Sequence, residues 1–432
     1  MSNAALPQPE PTPGNTAWWT HDRFGLFIHW GIYAMAARHE WVKKYEQISD
    51  ADYQPYFDNF DPDLYDPAKW ARTAREAGMR YVVLTSKHHD GFCLWDSQLT
   101  DYKATNTPAK RDLLKPFVDA FRAEGLKVGF YYSLIDWHHP EFPVDGVHPQ
   151  ANDLAFREAT KDRDVRKYAK YLHGQVREIL TMFGTIDLLW LDFSYSQQDY
   201  GWSKGKGKDD WQSEELIRMV REINPDIIIN NRSEIEQDFH TPEQFIPPSW
   251  LHVDGKPVNW EACQTLNGSW GYHRDNLDWK SPQLLVEMLI DCVSKGGNML
   301  MNVGPTGRGE FDPRAQATLG EIGAWMRQHG RAIYGCTQAP FTPPRDCRYT
   351  YNPETNRLYL HVFAWPLKYL HLPGLRNRVR YAQILNDGSE VKTFDFTQHH
   401  RYPSGGEDLL TLELPIQKPS VHTPVVELFL AD

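Results

Sequence analysis

The segment from Lys87 to Phe92, KHHDGF, combines a cation, two imidazoles and a carboxylate directly after the apolar run from Tyr81 to Ser86. That run predicts a buried strand, so the polar groups should lie at its end. Adjacent histidines at a strand end are expected to point to opposite faces of the sheet. Such a cluster suits either a metal ion or the hydroxyl groups of a sugar. The segment alone does not decide between these two kinds of site.

Asp192 is the strongest candidate for a catalytic group. It closes the apolar run from Ile186 to Leu191, IDLLWL, so its carboxylate should emerge at the end of a rigid strand. A carboxylate in that place can attack an anomeric carbon and hold a covalent glycosyl intermediate. A helix cap or a buried ion pair is the structural alternative, but the residues after Asp192 do not predict the start of a helix.

Glycoside hydrolysis requires a second carboxyl group, which protonates the leaving oxygen and later activates water. Several acids follow Asp192, and the local pattern does not select one of them. Glu243 lies in the loop sequence DFHTPE and Glu261 in the sequence WEAC, whereas Glu234 and Glu236 are weaker choices. For each of these glutamates a solvated surface position is the ordinary alternative.

Two further positions bear on the chemistry. Arg232 follows the predicted strand that ends at Asn231 and would place a permanent cation at a strand end. There it could hold a carboxylate in its charged state or simply support the scaffold. Glu40 and Trp41, shortly after the first predicted strand, pair a hydroxyl acceptor with a flat apolar wall.

A metal-dependent hydrolase that uses His88 and His89 is the alternative from another enzyme class. These two side chains should diverge, and no His-x-His pair follows the first strand around His29. The doublet formed by His138 and His139 lies in a Pro-rich loop. Because no set of three or four ligands is apparent, the sequence favours the sugar site and predicts neither a metal nor another cofactor.

The elements that must position these residues alternate between short apolar strands and longer amphipathic helices. The predicted strands are Phe24–His29, Tyr81–Ser86, Lys127–Ser133, Ile186–Asp192, Asp226–Asn231 and Asn298–Val303. The predicted helices are Pro67–Gly78, Arg111–Gly125, Asp153–Phe183, Asp210–Asn224, Pro282–Lys295 and Arg314–Gly330. Polar residues recur at the C-terminal ends of the strands, which is typical of an α/β fold with a (β/α)8-like barrel. We expect an irregular barrel, because its sixth and eighth strands are hard to place.

The character of the sequence changes after residue 335. Short strands separated by Pro, Gly and Asn turns predict a C-terminal antiparallel β-sandwich. These strands are Leu358–Ala364, Val379–Leu385, Asp408–Leu414 and Val425–Leu430. The predicted organisation is therefore a flexible N-terminus (1–14), a catalytic barrel (15–335) and a sandwich (336–432).

The composition sets the remaining bounds. The chain has 432 residues, of which 41% are hydrophobic and 24% charged, as in ordinary soluble globular proteins. Its net charge of −11 argues against nucleic acid or an anionic membrane as the main partner. The five cysteines are scattered and predict buried free thiols. Residues 1–14 lack the pattern of a signal peptide, and the sequence leaves localisation and oligomeric state open.

In combination and in this order, the motifs resemble those of the α-L-fucosidases of glycoside hydrolase family 29 over nearly the whole chain. The segments that carry the resemblance are Phe24–Gly31, Glu40–Trp41, Lys87–Phe92, Tyr131–Ser133, Leu189–Asp192, Trp260–Cys263, Ser269–Tyr272, Gly296–Asn298 and Asn302–Pro305.

The resemblance implies a retaining exo-hydrolase that releases terminal α-L-fucose from a fucosylated oligosaccharide or glycoconjugate. It implies that Asp192 is the nucleophile and Glu243 the acid/base, with Glu261 as the alternative. The residues implied to bind fucose are His29, Glu40, Trp41, His88, His89, one of the pair Tyr131 and Tyr132, and Arg232, with Trp41 or Trp270 against its apolar face. A fucose-binding protein without activity is the remaining alternative, and the presence of both carboxylates argues against it.

Overall fold

The computed structural model describes residues 6–394 and 408–431 of the chain. Seven parallel strands form one curled sheet, hydrogen-bonded in the order β5-β4-β3-β2-β1-β7-β6. The strands are β1 (Phe24–Ile28), β2 (Tyr81–Lys87), β3 (Lys127–Ser133), β4 (Leu188–Asp192), β5 (Ile228–Ile229), β6 (Glu261–Thr265) and β7 (Asn298–Val303). The apolar runs form these strands because helices cover the outer face of the sheet while side chains fill its interior.

An irregular segment, residues 239–243, closes the barrel between β5 and β6. Asn230 makes an isolated parallel bridge to Phe239, and Glu243 makes one to Cys263. The segment occupies the sixth position of an eight-membered barrel without forming a regular strand. The two positions that the sequence left unassigned are therefore the sixth and the seventh, rather than the sixth and the eighth.

Twelve α-helices precede the sandwich in the described part of the chain. They are α1 (Ala17–Asp22), α2 (Tyr33–Ala36), α3 (Val42–Tyr45), α4 (Asp50–Asp58), α5 (Pro67–Glu76), α6 (Leu114–Ala123), α7 (Leu154–Ala159), α8 (Val165–Thr181), α9 (Lys208–Trp211), α10 (Ser213–Ile223), α11 (Pro282–Ser294) and α12 (Pro313–His329). Short 3-10 turns cover Ala104–Asn106 and Gly330–Ala332, and a two-residue hairpin pairs His252–Val253 with Lys256–Pro257.

The prediction of a single long helix over residues 153–183 is wrong. The structure has two helices in this stretch, α7 and α8. Asp164 has an extended backbone (φ −113°, ψ 108°), and its carboxylate accepts a hydrogen bond from the Arg166 amide. It thereby caps the start of a new helix. The preceding helix ends at Ala159, and the amide and hydroxyl of Thr160 both donate to the Phe156 carbonyl at its C-terminus.

The C-terminal part contains two antiparallel sheets, as the sequence predicted. Their strands are β8 (Thr337–Gln338), β9 (Cys347–Asn352), β10 (Arg357–Val362), β11 (Tyr369–Pro373), β12 (Val379–Ile384), β13 (Lys392–Phe394), β14 (Leu409–Glu413) and β15 (Val425–Leu430). Five of them pair in the order β8-β9-β10-β15-β12 and three in the order β11-β14-β13. Leu372 and Leu412 from the smaller sheet share one core with Leu360 and Val426 from the larger one. This is the predicted β-sandwich.

The predicted boundaries at residues 14 and 335 stay predictions, and residues 1–5, 395–407 and 432 lie outside the described residues. Gly14, at the end of the segment predicted to be flexible, donates its amide hydrogen to the buried Asp238 carboxylate at 2.7 Å. All five cysteines lie in the described part, where each is a buried free thiol. Within residues 6–394 and 408–431, no helix is long and apolar enough to span a membrane.

Candidate active site

A cavity of about 100 Å³ lies at the C-terminal ends of the barrel strands. Its walls come from the last residues of the strands and from the loops after them, where the active sites of (β/α) barrels are built. The lining residues are Phe27, His29, Trp41, His88, His89, Tyr131, Trp190, Asp192, Phe193, Arg232, Glu243, Cys263 and Trp270. Nine of the residues predicted from the sequence are thus brought together, while Glu40, Tyr132 and Glu261 are not among the lining side chains.

Four lining residues, Phe27, Trp190, Phe193 and Cys263, are not among those predicted from the sequence. Two of them could have been inferred from the alternation of side chains along a strand. Phe27 lies on β1, two residues before His29, which directly follows that strand, and Trp190 precedes Asp192 by two residues on β4. Side chains two residues apart along an extended backbone point to the same face. Each aromatic ring therefore lies next to its polar neighbour on the face that lines the cavity. Phe193 has a positive φ of 81°, which nothing in the local sequence predicts.

Asp192 lies at the end of β4 with 11% of its side chain exposed. Its Oδ2 accepts a hydrogen bond from the Tyr131 hydroxyl at 2.7 Å, and its Oδ1 accepts one from Arg232 Nη1 at 2.8 Å. Burial raises the pKa of the Asp192 carboxyl, while the Arg232 guanidinium and the Tyr131 hydroxyl oppose that rise. The two donors therefore favour the ionised form of a carboxylate that burial alone would protonate.

Arg232 joins the two carboxylates of the cavity. While Nη1 donates to Asp192, Nη2 donates to Glu243 Oε2 at 2.7 Å, and Nε donates to Thr241 Oγ1 at 2.8 Å. The guanidinium also lies 4.6 Å from the centroid of the Trp190 ring. Although burial lowers the pKa of Arg232, the two carboxylates raise it more, so the cation is permanent. One planar group thus holds both acids near each other.

Glu243 is positioned by the irregular sixth segment of the barrel. The segment is tied to β6 by hydrogen bonds from the Cys263 amide to the Pro242 carbonyl and from the Gln244 amide to the Cys263 carbonyl, both 3.0 Å. The Glu243 side chain is 42% exposed, whereas that of Asp192 is largely buried. The site therefore contains one largely buried carboxylate, Asp192, and one solvent-accessible carboxylate, Glu243. These different environments suit the two groups to different chemical roles.

The expectation that His88 and His89 point to opposite faces is wrong. Their ring centroids are 4.0 Å apart, and both rings line the cavity. Strand alternation does not apply to them, because β2 ends at Lys87 and the chain then turns. His29 joins them from the neighbouring strand, with its ring centroid 5.6 Å from that of His88.

Hydrogen bonds at Nδ1 determine which ring nitrogen of His29 and of His89 can accept a hydrogen bond from a ligand. Asn302 Oδ1 accepts from His29 Nδ1 at 2.7 Å, and Ser133 Oγ accepts from His89 Nδ1 at 2.7 Å. Each ring therefore keeps Nε2 as an acceptor, while His88 Nδ1 has no hydrogen-bond partner in the described part of the chain. Burial lowers the pKa of His29 to about 3 and the pKa values of His88 and His89 well below 6.5, so all three are neutral at neutral pH.

The cation and the carboxylate of the KHHDGF segment do not contribute to the cavity. Lys87 Nζ pairs with Asp136 Oδ2 at 3.0 Å, and both side chains are buried. Asp90 accepts a hydrogen bond from the Tyr53 hydroxyl at 3.1 Å. These charges brace the loop that carries the two histidines, so only half of the predicted polar cluster faces the cavity.

The adjacent tyrosines of β3 point in opposite directions. Tyr131 reaches Asp192, whereas the Tyr132 hydroxyl donates to Gln175 Oε1 on α8 at 2.8 Å. Of the pair from which one residue was predicted to bind the sugar, the structure brings Tyr131 to this cavity and not Tyr132. Alternation along a strand allows only one of two neighbours to face the interior.

Glu40 is buried behind the lining residues. Its Oε2 accepts the Gly271 amide hydrogen at 2.8 Å, and burial raises the pKa of its carboxyl. This bond holds the segment that carries Trp270, whose ring centroid lies 5.1 Å from that of His29. Glu40 therefore fixes one wall of the cavity from outside the lining.

Glu261 lies at the opposite end of the barrel interior, at the start of β6. It pairs in register with Asn298, the first residue of β7. Its Oε2 accepts hydrogen bonds from the Tyr81 hydroxyl and, at 3.1 Å, from Trp19 Nε1. Burial raises the pKa of its carboxyl to about 7. A fully buried acid at the start of a strand cannot reach a ligand at the strand ends, so this alternative acid/base is not supported.

The three histidines do not form a metal centre with the carboxylates. Over residues 6–394 and 408–431, no group of three or more His, Cys, Asp or Glu side chains is arranged to hold a metal ion. The arrangement can instead supply neutral acceptors and donors to hydroxyl groups, a buried carboxylate and an accessible one.

Comparison with known proteins identifies relatives over almost the whole chain. Residues 8–331 match the family model described as Alpha-L-fucosidase. The structure of alpha-L-fucosidase isoenzyme 1 from Paenibacillus thiaminolyticus is 48% identical, with a TM-score of 0.89 over 96% of this chain and 99% of that one. The plasma alpha-L-fucosidase of Homo sapiens is 29% identical over 435 residues, which cover 92% of this chain and 85% of the relative.

One similar structure holds a reaction intermediate. It is that of a GH29 alpha-L-fucosidase from Bacteroides thetaiotaomicron, described as a covalent intermediate trapped with 2-fluoro-fucosyl fluoride in a glutamate-to-glutamine mutant. It is 26% identical, with a TM-score of 0.83 over 100% of this chain and 99% of that one.

Proposed function

This chain belongs to the alpha-L-fucosidase family and is a glycoside hydrolase, and on that premise we propose that it releases terminal α-L-fucose with retention of the anomeric configuration. Asp192 is the nucleophile and Glu243 the acid/base. The observation that carries the proposal is the bridge from Arg232 to both carboxylates, at 2.8 and 2.7 Å. A single guanidinium that reaches both carboxylates is compatible with the separation of about 5–5.5 Å between the two carboxyl groups of a retaining glycosidase.

In the first step, Asp192 attacks the anomeric carbon while Glu243 gives its proton to the leaving oxygen. A fucosyl ester forms on Asp192 and the glycosidic C–O bond breaks. Arg232 and the Tyr131 hydroxyl keep Asp192 ionised before attack. In the free enzyme Glu243 is paired with Arg232, so this ion pair must open before Glu243 acts as an acid, which its accessible position allows.

In the second step, Glu243 takes a proton from water, and the resulting hydroxide attacks the anomeric carbon of the ester. Fucose leaves and Asp192 returns to its carboxylate form. The covalent intermediate trapped in the Bacteroides relative supports a two-step reaction for this chain as well. The recovered carboxylate again accepts from Arg232 and Tyr131, which favours its release as a leaving group.

The lining residues suit a single terminal sugar. Trp190 and Phe27 line the cavity and are themselves buried in a cluster of the barrel interior, so the cavity does not continue past them. Neutral His29, His88 and His89 offer ring nitrogens to hydroxyl groups without a charge that must be neutralised. Trp41 and Trp270 supply flat walls for the apolar face and methyl group of fucose. Two similar structures, described as a bacterial fucosidase with an iminocyclitol inhibitor and a bacterial fucosidase with a dihydroxy-methylpyrrolidine triazole inhibitor, support this assignment.

Three variants and one product analysis test the proposal. We expect Asp192→Ala to lose at least about a thousandfold of the kcat/KM for an aryl α-L-fucoside. Glu243→Ala should lose activity on unactivated fucosides, and azide, which replaces water in the second step, should restore its turnover of an aryl α-L-fucoside whose leaving group needs no proton. Glu261→Ala should show no azide rescue. Proton NMR of the first product should show the α-anomer of fucose. Wild-type activity in Asp192→Ala, or the β-anomer, would overturn the proposal.

A further inference from the structure

An exposed aromatic ring continues the wall of the cavity outward. Trp41 lines the cavity, and Tyr45 stands four residues later, at the end of α3. Their ring centroids are 5.8 Å apart and the ring planes differ by 29°, so the two rings are stacked. Tyr45 is 68% exposed, whereas Trp41 is half-buried. The pair therefore forms a continuous aromatic surface from the cavity to solvent.

The turn that carries Tyr45 is held rigidly by its neighbours. Lys43 is buried and pairs with Asp50 at 2.7 Å. Lys44 Nζ donates to the Gly146 carbonyl at 2.8 Å and to the His148 carbonyl at 3.0 Å. The Tyr45 amide donates to the Trp41 carbonyl at 2.9 Å. The backbone that carries the ring is therefore fixed, and stacking on Trp41 orients the ring itself, so binding costs little further conformational entropy.

The polar residues beside Tyr45 are already engaged. Both oxygens of Glu46 accept hydrogen bonds from Arg38, at 2.6 and 2.7 Å. The Tyr45 hydroxyl, in contrast, has no hydrogen-bond partner among the side chains and backbone groups that the structure describes. The imidazole of His39 lies beside the ring, with 4.9 Å between the centroids. The surface thus combines an open aromatic face with a free hydroxyl and an adjacent imidazole.

This combination fits a sugar ring. Aromatic side chains with a polar tip bind the apolar faces of ligands while their hydroxyl groups make hydrogen bonds. A single exposed aromatic residue is ordinary on a protein surface. Tyr45 differs because its ring stacks on Trp41, which lines the cavity. A group attached to the anomeric carbon of a bound fucose must extend from the cavity to solvent, and the stacked rings of Trp41 and Tyr45 run in that direction.

We propose that Tyr45 forms a binding subsite for the pyranose ring to which fucose is linked. This subsite rests on the proposed function, since its occupant is the leaving group of that reaction. The substrate class is then a fucosyl oligosaccharide whose second sugar ring packs on Tyr45. A ringless leaving group would gain nothing from this surface.

The test compares a leaving group with a ring and one without. The substrates are α-L-fucosyl fluoride and whichever of the α1→2, α1→3, α1→4 and α1→6 fucosyl disaccharides the wild type hydrolyses fastest. The measured quantity is the kcat/KM for the disaccharide divided by that for the fluoride. We expect Tyr45→Ala to lower this ratio about fivefold, the size of one aromatic contact, and Tyr45→Phe to stay within about twofold of wild type.

A matched control replaces another exposed tyrosine. Tyr381 is 38% exposed and lies on β12 of the sandwich, far along the chain from the barrel strands. Tyr381→Ala should leave the ratio at the wild-type value. The subsite is refuted when Tyr45→Ala keeps the wild-type ratio, or when Tyr381→Ala lowers it equally. If Asp192→Ala hydrolyses fucosyl fluoride like wild type, the proposed function fails instead, whatever the ratio shows.

Discussion

At the scale of single residues, Arg232 controls the charge state of the site. It donates to Asp192 and to Glu243 from two nitrogens of one guanidinium group. As the proposed nucleophile, Asp192 needs a nearby cation because burial raises the pKa of its carboxyl. As the proposed acid/base, Glu243 must leave its ion pair with Arg232 during the reaction. Arg232 therefore favours the ionised form of Asp192 before the substrate arrives, and it holds Glu243 in an ion pair.

Replacing Arg232 with Met should shift the acidic limb of the pH profile of kcat/KM to higher pH. The cation opposes the burial-induced rise in the pKa of Asp192, so its loss raises that pKa further. The nucleophile then becomes protonated, and inactive, at a higher pH. Arg232→Lys keeps a charge and should show a smaller shift. A pH–rate profile with an aryl fucoside measures this, and an unmoved acidic limb in Arg232→Met would show that Asp192 does not set it.

Tyr131 and Tyr132 offer a matched pair of hydroxyl deletions. Tyr131→Phe removes the hydrogen bond to Asp192 Oδ2, and we expect kcat/KM to fall about 10- to 100-fold, as for a bond to a charged group. Tyr132→Phe removes a bond to Gln175 on the outer side of β3 and should keep activity within about twofold. Steady-state kinetics on both variants decide the matter, and equal losses would mean that the hydroxyl acts only through stability.

At the scale of elements, the sequence predicts the strand ends better than the turns after them. Asp192 closes a regular apolar strand, and its position follows from the strand alone. His88 and His89 lie in a turn, where the alternation of a strand no longer determines direction. Glu243 lies on a segment held by isolated bridges, which has no periodicity to read. The directions of the His88, His89 and Glu243 side chains depend on tertiary contacts, so they do not follow from the local sequence.

Glu261 should make the stability of the barrel depend on pH. Its folded pKa of about 7 lies above its unfolded value, so the folded state holds the proton more tightly. This contribution is complete below the unfolded pKa and is lost as the pH rises through 7. Glu261→Gln cannot ionise, so the stability of wild type relative to the variant should fall by about 2–3 kcal/mol between pH 5 and pH 8. Urea unfolding at both pH values measures it, and a constant difference would show that Glu261 is not protonated in the fold.

At the scale of the whole molecule, α12 and the turn after it join the barrel to the sandwich. Trp325 Nε1 donates to the Thr423 carbonyl at 2.9 Å. Arg331 donates to the buried Glu427 on β15 at 2.6 Å, and Gln383 donates to the same carboxylate at 2.6 Å. The order of a barrel followed by a sandwich was predictable from the change in strand spacing. The contacts of Trp325 and Arg331 with the sandwich were not, because they join positions 98 and 96 residues apart.

Loss of Glu427 should weaken the fold and leave the chemistry intact. We expect Glu427→Ala to lower the free energy of unfolding by about 1–3 kcal/mol, because Gln383 loses a buried partner. The kcat/KM for an aryl fucoside at 25 °C should not change. Glu413→Ala, which breaks a partly exposed pair with Lys368, should cost at most about 1 kcal/mol. Denaturant unfolding and kinetics on both variants check this, and a loss of kcat/KM in folded Glu427→Ala would contradict it.

The central claim is that Asp192 becomes covalently attached to fucose during turnover. The most direct measurement is mass spectrometry of the protein after incubation with 2-deoxy-2-fluoro-fucosyl fluoride, followed by peptide mapping of the label. We predict one fluorofucosyl group per chain, attached to Asp192, with slower labelling in Arg232→Met. A label on any other residue, or none while the probe is hydrolysed at a steady rate, would contradict the account.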